Sequence, residues 1–368
     1  MKKRKKRIIV IAFFILGLIS VSLYKFKSDT TKLVKIKNSL YTNGASQFLS
    51  DYDVANEFTN PIVKLYLYYY KKRFKKRFFD QDEAFSDTGS EVLNSVMALY
   101  RNYWVKDYMK TKGDTTDYNK LFVEDMGAYL IDNGLTKVSK ENIKRFSNIR
   151  SDLKKAIEFE GAFCQFFFLN GKMDIIIWRS QEQKVYPVKT PYDSRDISVL
   201  FYKDVILENR QSFISFGDKK TGGWPNNVEN VIYCGESYNP ETEKFKYSFL
   251  THEANHFFDN EKYPNLSAAD LEYRSKLTEL VYLQKDMYRI LRQFLNGASN
   301  QHRNHGHAYA NFQVIKDLSK AIFNKTFEGD FNQWKSISVE KINKTAFSLL
   351  ENNEKELFKN PKIAKVFE

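Results

Sequence analysis

Cysteine, proline and glycine are scarce in this chain of 368 residues, which has 2 Cys, 7 Pro and 15 Gly. Two thiols, Cys164 and Cys234, cannot make a disulfide framework or a cysteine-rich zinc knuckle, although a single bridge between them stays open. So few glycines and prolines exclude collagen-like, low-complexity and Gly/Pro-rich β-repeat architectures. A Gly-rich phosphate loop and an internal repeat are both missing. Aromatic residues are plentiful: 31 Phe and 23 Tyr, in a chain that is 42% hydrophobic and 28% charged. That suffices for a buried core in one large or two modest domains, and it favours a helix-rich globular body.

No acid precedes Asp29, whereas Lys2, Lys3, Arg4, Lys5, Lys6, Arg7, Lys25 and Lys27 supply eight of the 58 bases. The remainder sets 50 bases against 45 acids, so most of the net charge of +13 is local and is no footprint of nucleic-acid binding. Behind the basic cluster, residues 8–24 (IIVIAFFILGLISVSLY) carry no charge and at about 1.5 Å per residue can cross most of a bilayer core. Ser20-Val21-Ser22 offers a small-x-small cleavage site, but Lys25 and Lys27 suit an uncleaved signal anchor, which is the preferred reading of residues 1–27. The positive-inside rule then puts the rest of the chain outside the cytoplasm, periplasmic or extracellular, or secreted if the leader is removed. Richness in Lys, Asn, Ile, Phe and Tyr suits a bacterial envelope protein.

Residues 28–157 read as a helical region, with 3.6-residue periodicity over 54–79, 91–109 and 118–135 and breaks at Asp87-Thr88-Gly89 and Gly113-Asp114-Thr115. Within it, 68–79 (YYYKKRFKKRFF) interleaves bases with aromatics. Such a run can follow phosphates or anionic headgroups, but a solvated helix face with its aromatics turned to the core is the preferred reading. From 158 the pattern changes to strands at 163–169 and 173–178 around Asn170-Gly171, a tight-turn pair, and again at 230–234. Gly222-Gly223-Trp224-Pro225 reads as a loop. Ser267, three before Asp270, caps one long helix expected from about 268 to 295 and closed near Gly297, with later helices at 309–323 and 339–358.

The chemistry is concentrated in His252-Glu253-Ala254-Asn255-His256. Histidines at i and i+4 project from one helix face, so both imidazoles can reach a single Zn²⁺ at about 2.0–2.1 Å. Glu253 is placed to take a proton from metal-bound water and pass it to a leaving amine. Phe249, Leu250, Phe257 and Phe258 flank the motif and fit a buried helix. All five histidines fall here or in the segment holding His302, His305 and His307. No Gly and third His follow His256 closely, which excludes the three-histidine metzincin pattern, so a carboxylate is the expected third ligand. Glu272 and Glu279, seven apart, share a helix face. Glu272 is preferred because the small Ser275 at i+3 permits close helix approach; Glu279 is the alternative ligand, or else a partner that orients a histidine. The bland reading pairs either glutamate with Arg274 or Lys276 on a solvated face. Asp259 lies on the metal face and can orient a ligand, though such a residue more often ends a helix.

HExxH on one helix followed by ExxS (Glu272, Ser275) on a second resembles the gluzincin branch of the zinc metallopeptidases, the thermolysin-like group, over roughly 230–297. Leu271 and Lys276 stand where the thermolysin pattern has Asn and Asp. The resemblance implies an α+β, mainly helical zincin-like domain over 158–368, with a small mixed sheet whose edge strand lies above the HExxH helix. It also implies a later His or Tyr that donates to the oxyanion, here His307 with Tyr309 close behind and His302 and His305 also available. The expected function is zinc-dependent hydrolysis of a peptide or protein substrate aligned along the strands at 163–178 and 230–234. The alternative is a non-catalytic envelope scaffold whose metal site is structural or vestigial.

Overall fold

A computed structural model describes residues 60–367 apart from 81–84, 112 and 170, together with isolated positions between 28 and 58. The expected membrane segment, residues 8–24, lies outside the described residues. Among the described residues no helix is long and apolar enough to cross a membrane. The architecture is mixed α+β and rich in helix, with one five-stranded sheet. The chain forms two compact units, Met1–Arg179 with Asp204–Lys220, and Ser180–Lys203 with Thr221–Glu368.

The first unit holds helices α1 (Pro61–Phe78), α2 (Glu91–Met109), α3 (Tyr118–Asp132) and α4 (Phe146–Phe159). α1 starts where Asn60 accepts from the amides of Ile62 and Val63 and Pro61 occupies the first turn, whose amides need no helical partner. Its Val63, Leu67, Tyr70, Phe74 and Phe78 are buried at helical spacing, while Lys64, Lys72, Lys75 and Lys76 are exposed. The basic-aromatic run is thus a helix with three of its rings in the core. Strands β1 (Phe163–Leu169) and β2 (Lys172–Lys189) form the expected hairpin, with Phe163 opposite Trp178 and Leu169 opposite Lys172. Gly171 takes the positive φ of 73° that this tight turn requires. Cys164, Phe166, Ile175 and Ile177 share one apolar core with Trp104 and Leu153, so the hairpin belongs with the helices before it.

In the second unit, residues 198–202 of β3 (Ser194–Leu207) run parallel to β5 (Val231–Gly235), and β4 (Gly223–Asn226) lies antiparallel to β5. Strand order is β1-β2-β3-β5-β4, which leaves β4 at the edge. The segment read as a Gly-Gly-Trp-Pro loop is therefore an edge strand. Its amide-free Pro225 is tolerated at an edge. Trp224 stacks on Tyr233 with ring centroids 5.0 Å apart. Gly223 is required, since a Cβ there would stand 2.3 Å from the Tyr233 carbonyl oxygen and 2.5 Å from the Phe249 ring. Both cysteines are buried and free, so the bridge left open by the sequence does not form.

Helical structure resumes with α5 (Arg210–Ile214) of the first unit and, in the second, α6 (Glu243–Phe245), a π-helical turn (Lys246–Thr251) and α7 (His252–Lys262). These are followed by α8 (Ala268–Tyr282), α9 (Met287–Gly297), α10 (Gly306–Phe323), α11 (Phe331–Lys335) and α12 (Val339–Lys359). The single long helix expected after Ser267 is in fact two, α8 and α9. Leu283 leaves helical geometry at ψ 137°. Asn343 Nδ2 donates to the carbonyls of Leu280 (2.6 Å) and Leu283 (3.0 Å), and Glu243 accepts the amides of Gln284 (3.3 Å) and Asp286 (2.9 Å). Apolar spacing continues through the break because Leu280, Leu283, Met287 and Leu291 all enter one core. The caps that make the break come from residues distant in sequence.

Candidate metal centre

α7 carries the HExxH residues, and the turn before it is underwound to π geometry, with Thr251 Oγ1 donating to the Lys246 carbonyl at 2.8 Å. Extra-wide turns of this kind recur at functional sites. Phe249, Leu250, Ala254, Phe257 and Phe258 bury the opposite face against Val199, Ile232 and Cys234 of β3 and β5. The two imidazoles, both nearly buried, stand one turn apart with ring centroids separated by 5.0 Å.

α8 brings the carboxylate. His252 Nε2 lies 3.4 Å from Glu272 Oε2, and His256 Nε2 lies 3.5 Å from Glu272 Oε1. One donor atom from each of His252, His256 and Glu272 falls within 4.8 Å of the others, the one such group of three found among the described residues. Each imidazole thus approaches a different oxygen of the one carboxylate, a clustering close enough for the three side chains to share a cation. The other nitrogens have polar neighbours behind them. His252 Nδ1 faces Glu279 Oε1 at 3.5 Å, an ion-pair separation, and His256 Nδ1 lies 3.4 Å from Ser275 Oγ. Glu279 thus occupies the outer side of His252, while Glu272 closes the triad. His252 Nδ1 and Glu272 Oε2 are buried without a well-aligned hydrogen bond. Two Nε2 atoms and an under-satisfied carboxylate oxygen form a donor set that fits a small cation of borderline softness.

The charges are strongly coupled. Burial opposes protonation of His252, but Glu272 and Glu279 outweigh it and push its pKa up to about 10. Burial likewise works against the Glu272 carboxylate, yet His252, His256 and His307 hold its pKa well below the usual range. Glu253 is pushed upward by burial, with His252 and His256 in opposition. Tyr238, whose ring stacks on Phe249 at 4.3 Å, is pushed up to about 12 by burial and then by the Glu253 charge.

His307, in the first turn of α10, sets Nδ1 2.9 Å from Glu272 Oε2 and leaves three quarters of its side chain exposed, 75%. Tyr309 turns elsewhere: its ring stacks on Phe367 (6.2 Å) and lies under the Arg303 guanidinium. His302 and His305 face each other at 5.4 Å. Asp259 holds no histidine. Its oxygens accept from Arg274 Nε (2.8 Å), Arg274 Nη2 (2.9 Å) and Asn255 Nδ2 (2.7 Å), and Asn255 continues to Ser275 Oγ (3.4 Å) and receives Thr278 Oγ1 (3.2 Å). Arg274, at 2% exposure, also donates to Asn353 (2.8 Å) and Glu354 (2.7 Å). This buried network ties α7 to α8 behind the histidines.

Sequence reasoning passed over Asn255, Tyr238 and the burial of Lys276. Lys276 had a signal, its i+4 offset from Glu272, whereas Tyr238 sits in a stretch with no period. Comparison with known proteins returns nothing that matches this chain, whether protein-family model, curated protein or solved structure.

Proposed function

We propose that the second unit is a zinc-dependent peptidase of thermolysin-like type, tethered outside the cytoplasm by residues 8–24. The observation that carries the reading is the clustering of one donor atom each from His252, His256 and Glu272 within 4.8 Å of one another, with Glu279 Oε1 3.5 Å from the other nitrogen of His252 and Ser275 Oγ 3.4 Å from that of His256. Zinc in that set supplies a Lewis acid that polarises a peptide carbonyl and acidifies water at neutral pH. Glu253, next to His252 on α7 and with its pKa raised by burial, takes a proton from water in the site and returns it to the departing amine. His307, anchored on Glu272 and mostly exposed, is the donor for the developing oxyanion. Tyr309, packed on Phe367, leaves that role to His307. β4, the edge strand, offers its backbone to an extended peptide, a role earlier expected of 163–178 and 230–234.

The second reading is an envelope scaffold. It is favoured by one observation: His252 lies at ion-pair separation from both Glu272 (3.4 Å) and Glu279 (3.5 Å), so its protonated form has charge partners of its own. Glu253→Gln separates the two. In the peptidase it keeps zinc content and thermal stability while cleavage of a denatured-protein substrate falls by about 10³-fold or more. Equal cleavage by variant and wild type, or none by either, overturns the enzymatic reading.

A further inference from the structure

Lys276 follows Glu272 by one helical turn on α8 and is buried, its side chain 8% exposed. Its Nζ lies 3.8 Å from Glu272 Oε2 and 4.8 Å from the centroid of the Phe294 ring. Among the described residues, Glu272 is the one carboxylate in ion-pair reach of this ammonium. Burying an ammonium is costly and is tolerated where a partner charge offsets it. That partner is the third member of the proposed metal triad, so Glu272 is shared between a fixed organic cation and the place a metal would occupy.

We propose that Lys276 is an electrostatic positioning residue that weakens the grip of Glu272 on the metal. The inference rests on the reading of His252, His256 and Glu272 as zinc ligands. Two effects act in the same direction. An ammonium beside Oε2 draws electron density from the carboxylate and makes it a poorer donor, as charged neighbours of metal ligands do. It also repels a divalent cation directly, and at 8% exposure solvent screens that repulsion only partly. The cost is affinity and the gain is a less neutralised, more electrophilic centre. A purely structural lysine, holding Glu272 in place, has the opposite sign: without it the ligand loosens and zinc binds less well.

The test is a zinc titration of the full chain against a chelating indicator, with wild type, Lys276→Met, Lys276→Gln and Lys276→Arg, each checked for native melting. Loss of the charge in the Met and Gln variants is expected to tighten zinc about tenfold, the size but not the sign of the affinity loss that removing an outer partner of a metal ligand ordinarily brings, while Arg stays near wild type. Two neutral variants keep the result readable if one does not fold. Unchanged or weaker zinc binding in the folded neutral variants overturns the inference and leaves the metal reading standing. Failure of wild type to bind zinc overturns both.

Discussion

Replacing Asp259 by Asn tests whether the buried network behind the histidines holds α7 to α8. The native carboxylate accepts two charge-assisted bonds from Arg274, at 2.8 and 2.9 Å, and one from Asn255 at 2.7 Å. Each bond to a charged group contributes about 1.5–3 kcal/mol. Arg274 keeps Asn353 and Glu354, so it is not stranded, and the expected loss is about 3–5 kcal/mol, the range for breaking a buried pair. The readout is native-state hydrogen exchange of the α7 and α8 amides in the full chain, which reports this unit separately from the other. The double variant Asp259→Leu with Arg274→Met removes both charges and is expected to recover most of the loss. A loss below about 1 kcal/mol, or a double variant no better protected than the single, would refute the reasoning.

Two further perturbations address the framework. Asp174 is buried, and its pKa is pushed up to about 6 by burial, against the amides of Arg210 and Ile175 that its Oδ1 accepts. The folded state therefore binds its proton more tightly than the unfolded chain: stability from this group is full below about pH 4 and is lost as pH rises through 6. About 2 pKa units correspond to about 3 kcal/mol. Asp174→Asn keeps the Oδ1 acceptor, so urea melts at pH 4 and 7 should show the variant gaining about that much on wild type across the interval, and a constant difference would count against the burial argument. Gly223→Ala forces a Cβ against the Tyr233 carbonyl and is expected to cost about 1–3 kcal/mol and to loosen β4. Wild-type protection of the Val231–Gly235 amides in that variant would contradict the close approach.

What the sequence revealed about this site follows the range of the interactions. His252 and His256 were legible because four residues within one helix fix their relation, and Glu272 because Ser275 lets two helices approach. The Asn-Gly hairpin was legible for the same local reason. β4 was not, since its glycines and proline signal a turn when read locally, and only the Phe249 ring and the Tyr233 carbonyl explain the absence of a side chain at 223. The break between α8 and α9 depends on Asn343 and Glu243, far away in sequence. Asp259 looked like a helix end or a ligand's partner. Its true partner, Arg274, is on the next helix, and no spacing rule links the two.

The most direct measurement is zinc content together with zinc-edge X-ray absorption on the full chain, alongside Glu272→Ala and Glu279→Ala. The account expects one zinc per chain with two histidine nitrogens at about 2.0–2.1 Å, lost with Glu272 and retained, more weakly, without Glu279. Wild-type protein that holds no zinc, or zinc that survives removal of Glu272 with its coordination unchanged, would contradict it.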